Sequence, residues 1–179
     1  TEEDVLFQES EGNPLFIIEL LNAWDESGST IFRENDNQIS DTGRVLPARI
    51  HRVIKDRLSL ISTEAKNLTE FASALGSFFT FSVIESASKR KEEDLVQLLD
   101  ELWRKRIIRE QGKDTYAFSH DKIREVVYAE LSQARRRLIH RKAAEALEEN
   151  YWRSLDIVSN QLAYHYNQAG LLERAAKYY

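Results

Sequence analysis

Apolar residues recur along this chain mostly at helical spacing. Leu15-Phe16-Ile17-Ile18-Glu19-Leu20-Leu21-Asn22-Ala23-Trp24 is apolar on nearly every side, which predicts a buried helix. Pro47 opens a helix through about Ile61, with Ile50, Val53, Ile54, Leu58 and Ile61 on one stripe. Ser62 or Thr63 caps the next helix, and Glu64 suits its first turn. Leu68, Phe71, Ala72 and Leu75 form its inner face and Gly76 ends it. Phe78, Phe79 and Phe81 read as an aromatic knot in the core, and Thr80 to Ser88 as a short helix. A charged turn, Lys89 to Asp94, leads to Leu95, Leu98, Leu99 and Leu102 at i, i+3, i+4, i+7.

The period then changes. Ile107-Ile108 and Thr115 to Phe118 are strand-like and flank the turn Gln111-Gly112-Lys113-Asp114, which predicts a β-hairpin. Three short helices followed by a hairpin is the order of a winged helix-turn-helix. A helix from about His120 to Leu131 buries Ile123, Val126 and Val127. Ser132 caps a longer one to about Asn150, with Ile139, Ala143, Ala146 and Leu147 inward. Residues 156–168 and 171–179 form two more. There Leu162-Ala163, Tyr166, Ala175 and Tyr179 follow the small/large spacing of a tetratricopeptide helix pair. One such unit cannot bury its own face, so further repeats are expected downstream.

Two stretches lack this patterning. Residues 2–10 are acidic and end at Glu11-Gly12-Asn13-Pro14, where Gly12 suits a helix C-terminus and Pro14 the first turn of the next. Residues 25–45 are polar, with room for a hairpin around Ile31-Phe32 and Gln38-Ile39. A loop of that length marks a boundary or a functional insertion.

Composition narrows the class. Of 179 residues, 42% are hydrophobic and 31% charged, which suits a core-forming soluble chain. Two prolines and six glycines favour long helices. The absence of cysteine removes disulfides and thiolate chemistry and fits a reducing compartment. No apolar run reaches the roughly 20 residues of a membrane helix and no signal peptide opens the chain, so the expected location is the cytoplasm, with no membrane partner. A start at Thr1-Glu2-Glu3-Asp4, with no methionine anywhere, reads as the interior of a longer polypeptide. The net charge of −5 argues against nucleic acid as main partner.

Candidate chemistry is sparse. There is no Gly-rich Lys-Ser/Thr phosphate loop, no Gly-x-Ser-x-Gly and no His-Glu-x-x-His. His51, His120, His140 and His165 lie far apart and lack metal-ligand spacing. The expected recognition helix, about 92–105, starts with Glu92, Glu93 and Asp94, which disfavours DNA contact. Arg135-Arg136-Arg137-Leu138-Ile139-His140-Arg141-Lys142 is the most basic run; it reads as a solvated helix face or as a phosphate or partner site. His120, after Phe118-Ser119 and before Asp121, sits at a helix start, where unpaired backbone N–H groups attract anions. Taken alone it reads first as a helix-start histidine satisfied by a neighbouring carbonyl and only second as a ligand contact.

The motifs gain meaning from their order. Glu11-Gly12-Asn13-Pro14-Leu15-Phe16-Ile17-Ile18-Glu19-Leu20-Leu21 resembles the Gly-x-Pro segment closing the nucleotide-binding unit of STAND-class regulatory ATPases, AAA+ relatives that act as signalling switches. Leu46-Pro47, the winged helix, Phe118-Ser119-His120, the Ser132-to-His140 helix and the repeat-like end follow as in the bacterial branch of large LuxR-type and SARP-type regulators and cyclase- or kinase-fused relatives. The resemblance covers the whole chain; its specific part is order and spacing.

The resemblance implies a mainly α chain: residues 1–45 the end of a helical lid with a linker, 46–131 a winged-helix domain with one β-hairpin, 132–179 a helical arm that starts tetratricopeptide-like hairpins. It implies a regulatory segment that couples nucleotide state to the arm and is not itself an enzyme, within a parent that binds ADP and ATP. In related disease-resistance and apoptosis ATPases a histidine-aspartate pair at this place contacts the β-phosphate of ADP, and the Gly-x-Pro proline lies by the adenine. The implied nucleotide-binding residues are therefore Pro14, His120 and Asp121, with Asp121 orienting the helix start. Ser119 stands where the resistance proteins carry methionine. No nucleotide is expected on this segment alone. The implied partners are an upstream nucleotide-binding domain, downstream repeats and a protein partner. The alternatives are a DNA-binding winged-helix regulator and a repeat-based interaction scaffold.

Overall fold

A computed structural model describes the backbone of residues 48–179 and, before them, Phe7, Ser10, Gly12, Pro14, Ile17, Ile18 and Leu21. The chain divides into two compact units, Thr1–Leu60 and Ile61–Tyr179. The hairpin expected around Ile31 and the helix start at Pro47 lie outside the described residues.

In the first unit Phe7 and Ser10 are helical, Gly12 turns at φ +73°, and Pro14, Ile17, Ile18 and Leu21 are helical again. The positive φ is why glycine suits this corner. The Ser10 hydroxyl donates to the Phe7 carbonyl and accepts from the Gly12 N–H, both at 3.3 Å. Ile18 and Leu21 are exposed, so the apolar run at 15–24 is not buried on every side. Apolar atoms make up more than half of ordinary protein surface, and all-round hydrophobicity alone does not place a helix in a core. Helix α1 (Ala48–Ser59) buries Ile54 and Leu58 as its stripe requires.

The second unit begins with α2 (Thr63–Leu75), capped by Ser62, whose hydroxyl accepts from the Ala65 N–H at 3.1 Å. Glu101 holds this cap from outside, accepting from the Ser62 N–H at 2.6 Å and from its hydroxyl at 2.7 Å. Then come β1 (Phe78–Thr80), α3 (Phe81–Ser88), α4 (Glu92–Arg104), β2 (Ile108–Glu110) and β3 (Thr115–Phe118). The sheet is antiparallel in the order β1-β3-β2, with Phe79 opposite Tyr116 and Ile108 opposite Phe118.

Strand β1 replaces part of the aromatic knot. Successive strand residues face opposite ways, so Phe79 is buried against Phe118 and stacked on Tyr116, whereas Phe78 is 56% exposed. The helix expected from Thr80 starts at Phe81, because Thr80 belongs to the strand. The hairpin turn is tied down as well, since the Phe81 N–H donates to the Asp114 carbonyl at 3.0 Å. The element order and sheet order are those of a winged helix. Its core holds Leu95, Leu99 and Leu102 of α4, as their stripe predicts, with Ile107, Ile108 and Phe118.

Helices α5 (Asp121–Ala129), α6 (Gln133–Asn150) and α7 (Ser159–Gln168), a 3-10 turn (Leu155–Val158) and the short α8 (Leu172–Ala175) complete the unit. Ser132 caps α6 by accepting from the Arg135 N–H at 3.2 Å. Helix α7 ends at Gly170, φ +78°, with Leu171 N–H donating to the Tyr166 carbonyl and Gly170 N–H to that of Asn167; these two bonds define a Schellman close. Helix α6 packs against α2, α3 and α7. Ala143, Ala144 and Ala146 allow the close approach, and Tyr166 and Leu162 of α7 share a cluster with Val83 of α3. Leu162, Ala163, Tyr166 and Ala175 are buried as expected, but Tyr179 is exposed and α8 stops at Ala175. Residues 48–179 thus hold eight α-helices and one small sheet. No helix among the described residues is long and apolar enough to cross a membrane.

Candidate functional site

The residues singled out at the start of α5 form a joint between sheet and helix. Strand β3 ends at Phe118, and the Ser119 N–H donates to the Ile107 carbonyl at 2.9 Å. His120 follows in extended conformation as the N-cap residue. Its Nδ1 accepts from the Lys122 N–H at 3.3 Å, so the imidazole takes the place of an Asn or Asp cap oxygen. The ring is buried, and a neutral ring that accepts at Nδ1 carries its proton on Nε2. Asp121, in the first turn, complements the helix dipole, and its Oδ1 accepts from the Ser77 hydroxyl at 2.8 Å. Ser77 immediately precedes β1, so Asp121 pins α5 to the sheet from the side opposite its own strand in sequence. Lys122 is 3% exposed and pairs with Glu125 at 3.4 Å.

Arg124 lies one turn beyond His120 on the same side of α5, and sequence reasoning passed over it. Its Nε is buried without a hydrogen-bond partner among the described residues. A buried unsatisfied donor costs about 1–3 kcal/mol, which makes it a place to expect an acceptor. The i, i+4 relation to His120 was the available signal. The structure brings His120, Asp121 and Arg124 together on one helix start. Pro14 belongs to the other compact unit, where it is helical and exposed.

Two histidines that the sequence keeps apart meet in the arm. His140 of α6 and His165 of α7 are buried, with their Nδ1 atoms 2.8 Å apart. On the far side of the His140 ring, Nε2 and the Tyr128 hydroxyl of α5 are 2.9 Å apart. Tyr164 stands edge-on to both imidazoles, and the Arg136 guanidinium lies over the Tyr128 ring at 4.5 Å. One imidazole must donate and the other accept, so both cannot be cations. Burial, reinforced by the Arg136 charge, lowers the His140 pKa to about 4. Burial, then the neighbouring His140, lowers that of His165 to about 3. The atoms form a chain of bonds rather than converging on a point, and no metal-holding cluster of three ligands occurs among the described residues. His140 and His165 lie far apart in sequence, and contact between α6 and α7 closes the gap of 25 positions. The hint available was that both occupy apolar helix faces, next to Ile139 and Tyr166.

The basic run is divided around its helix. Arg135 reaches α2, donating from Nε to Glu70 at 3.1 Å and from Nη2 to Asn67 at 2.9 Å. Arg136 donates to the Ala129 carbonyl at 3.1 Å. Arg141 approaches Glu145 at 4.0 Å and Arg137 is exposed. On α4 the first-turn residues Glu92, Glu93 and Asp94 are exposed, and Arg104 pairs with Asp100 at 3.6 Å. Comparison with protein-family models, with curated proteins and with solved structures gives no match.

Proposed function

We propose that this chain is the regulatory segment of a STAND-type signal-transduction ATPase or transcriptional regulator of the cytoplasm, coupling nucleotide state to a helical sensor arm. The observation that carries the reading is the joint at α5. A histidine, the paired Asp121 and an arginine with an unsatisfied buried nitrogen gather on one helix start, between a winged-helix sheet and the arm. A diphosphate fits that donor set. His120 and Arg124 would meet it, while Asp121, held by Ser77, keeps the helix start in place. The nucleotide supplies negative charge at the joint, and no bond is made or broken there. The segment carries no phosphate loop in its sequence, so hydrolysis is assigned to the nucleotide-binding domain of the parent protein.

Bound ADP would favour a closed arrangement and exchange for ATP would release it. The arm is well placed to respond, because α6 packs on α2 and α3 of the winged helix and on α7. The exposed acidic first turn of α4 argues for a winged helix that packs against protein rather than one that reads DNA. The test is ADP release from the full-length protein. His120→Ala and Arg124→Gln should each speed release by about tenfold or more, the loss of one charge-assisted or buried hydrogen bond. His120→Asn, which can keep the cap, should also release faster. Release at the wild-type rate in all three variants removes the sensor role. A fast His120→Ala beside a normal His120→Asn and a normal Arg124→Gln reduces His120 to a cap.

A further inference from the structure

Helix α4 turns Leu95, Leu99 and Leu102 into the core and shows two large apolar residues to solvent. Val96 is 43% exposed and Trp103 56%. They stand seven positions apart, two helical turns, so they share one face at a separation of about 10 Å. Charge is divided along the same helix. Glu92, Glu93 and Asp94 are exposed in its first turn, and Arg104, Lys105 and Arg106 are exposed at and just beyond its last. The cations that precede the acidic turn are mostly directed elsewhere. Lys89 reaches Glu149 of α6 at 2.9 Å, and Arg90 lines the cleft between α2 and α6. Only Lys91, the N-cap residue, stays beside the three carboxylates.

We propose that α4 is a contact between two copies of this chain, paired antiparallel about a two-fold axis. A surface acidic at one end, basic at the other and apolar between is complementary to itself when reversed. With the axis midway between Val96 and Trp103, Trp103 of each copy lies over Val96 of the other. Each acidic turn then meets Arg104 and Lys105 of the other copy, and the two helix dipoles oppose. Asp100, nearest the axis, is partnered by Arg104 of its own chain at 3.6 Å. A nucleic acid is the poorer occupant, because its phosphates would meet the same three carboxylates. A two-fold contact closes at two copies. One helix face on each side is a small interface, so the expected dissociation constant is on the order of 100 µM. The contact holds whether or not the joint at α5 binds nucleotide.

The test is sedimentation equilibrium on the 179-residue chain from about 10 µM to about 1 mM at low salt. A monomer–dimer equilibrium is expected, weakened by added salt. Trp103→Ala should weaken it at least about tenfold, as loss of a central aromatic anchor does. Reversing either charged end, with Glu92→Lys/Glu93→Lys or with Arg104→Glu/Lys105→Glu, sets like charges together and should weaken it at least about tenfold as well. An equal mixture of the two reversed variants should dimerise again, because one chain is then basic at both ends and the other acidic at both. All the replaced side chains are exposed, so thermal melting by circular dichroism should stay close to wild type. The proposal is overturned by a chain that stays monomeric throughout, by association that continues past the dimer, by a Trp103→Ala or charge-reversed variant that dimerises as wild type does, or by normally melting reversed variants whose mixture stays monomeric.

Discussion

His120 and the pair His140–His165 are all buried, yet they do opposite kinds of work. His120 serves its own helix. Its Nδ1 accepts a local backbone N–H two residues on, and the next residue, Asp121, accepts from the Ser77 hydroxyl. The arm pair serves the packing of separate helices. Its bonds cross from α5 to α6 to α7, and its surroundings are aromatic. A buried histidine that caps its own helix acts on local structure. Where a buried histidine meets another, at least one ring is neutral, and low-dielectric surroundings and a like neighbour disfavour charge on either.

The largest expected effect comes from the core beneath the arm pair. Tyr166 is fully buried in the cluster that joins α3, α6 and α7. Tyr166→Ala should cost about 3–5 kcal/mol, as large aromatic truncations do. If arm and winged helix fold as one unit, thermal unfolding stays a single transition, lowered as a whole. Two separated transitions would show that the arm melts alone and that the two regions differ in cooperativity as well as in chemistry.

Next comes the pair itself. Replacing one member, as in His165→Leu, leaves the His140 Nδ1 buried without a partner and should cost about 1–3 kcal/mol. The double variant His140→Leu/His165→Leu should cost less than the sum, measured as a double-mutant cycle in urea. The pair also has a pH signature. Both folded-state pKa values lie below the ordinary histidine value of 6.5, at about 4 and about 3. The unfolded chain therefore binds more protons than the native one in that window. The pair's contribution to stability is complete above about pH 6.5 and is lost as pH falls through 6.5 toward 4 and then 3. Carboxylates titrate in the same acid range, so the diagnostic measurement is the difference between wild type and the double variant, which should vanish above pH 7 in slope but not below 6.

The smallest effect belongs to the joint. His120→Ala removes one cap and should cost about 1 kcal/mol, with His120→Asn recovering most of it, read from the urea midpoint. A loss several times larger, with no recovery by asparagine, would mean that His120 is held by more than its cap and that the contrast with the arm pair is one of degree.

Most local structure was legible because it depends on neighbours in sequence. Ser62 and Ser132 as caps, the leucine stripe of α4, the hairpin turn at Gly112 and the helix from His120 onward all follow from short-range chemistry, and each is found where the pattern places it. Strand β1 was hidden because three residues carry too short an alternation to stand out beside three phenylalanines. Its strand character comes from pairing with β3, which lies 35 or more positions away.

The candidate site divides in the same way. A histidine at a helix start and an aspartate after it are a property of the sequence, since the cap forms within two residues. That Ser77 holds Asp121, that Arg124 has a buried nitrogen to satisfy, that Arg135 clasps α2 and that His140 meets His165 were decided only when the helices packed. The physical reason is range. Capping and turn chemistry act over two to four residues of covalently fixed geometry, whereas burial and side-chain pairing across helices depend on approach distances that no single stretch of chain encodes.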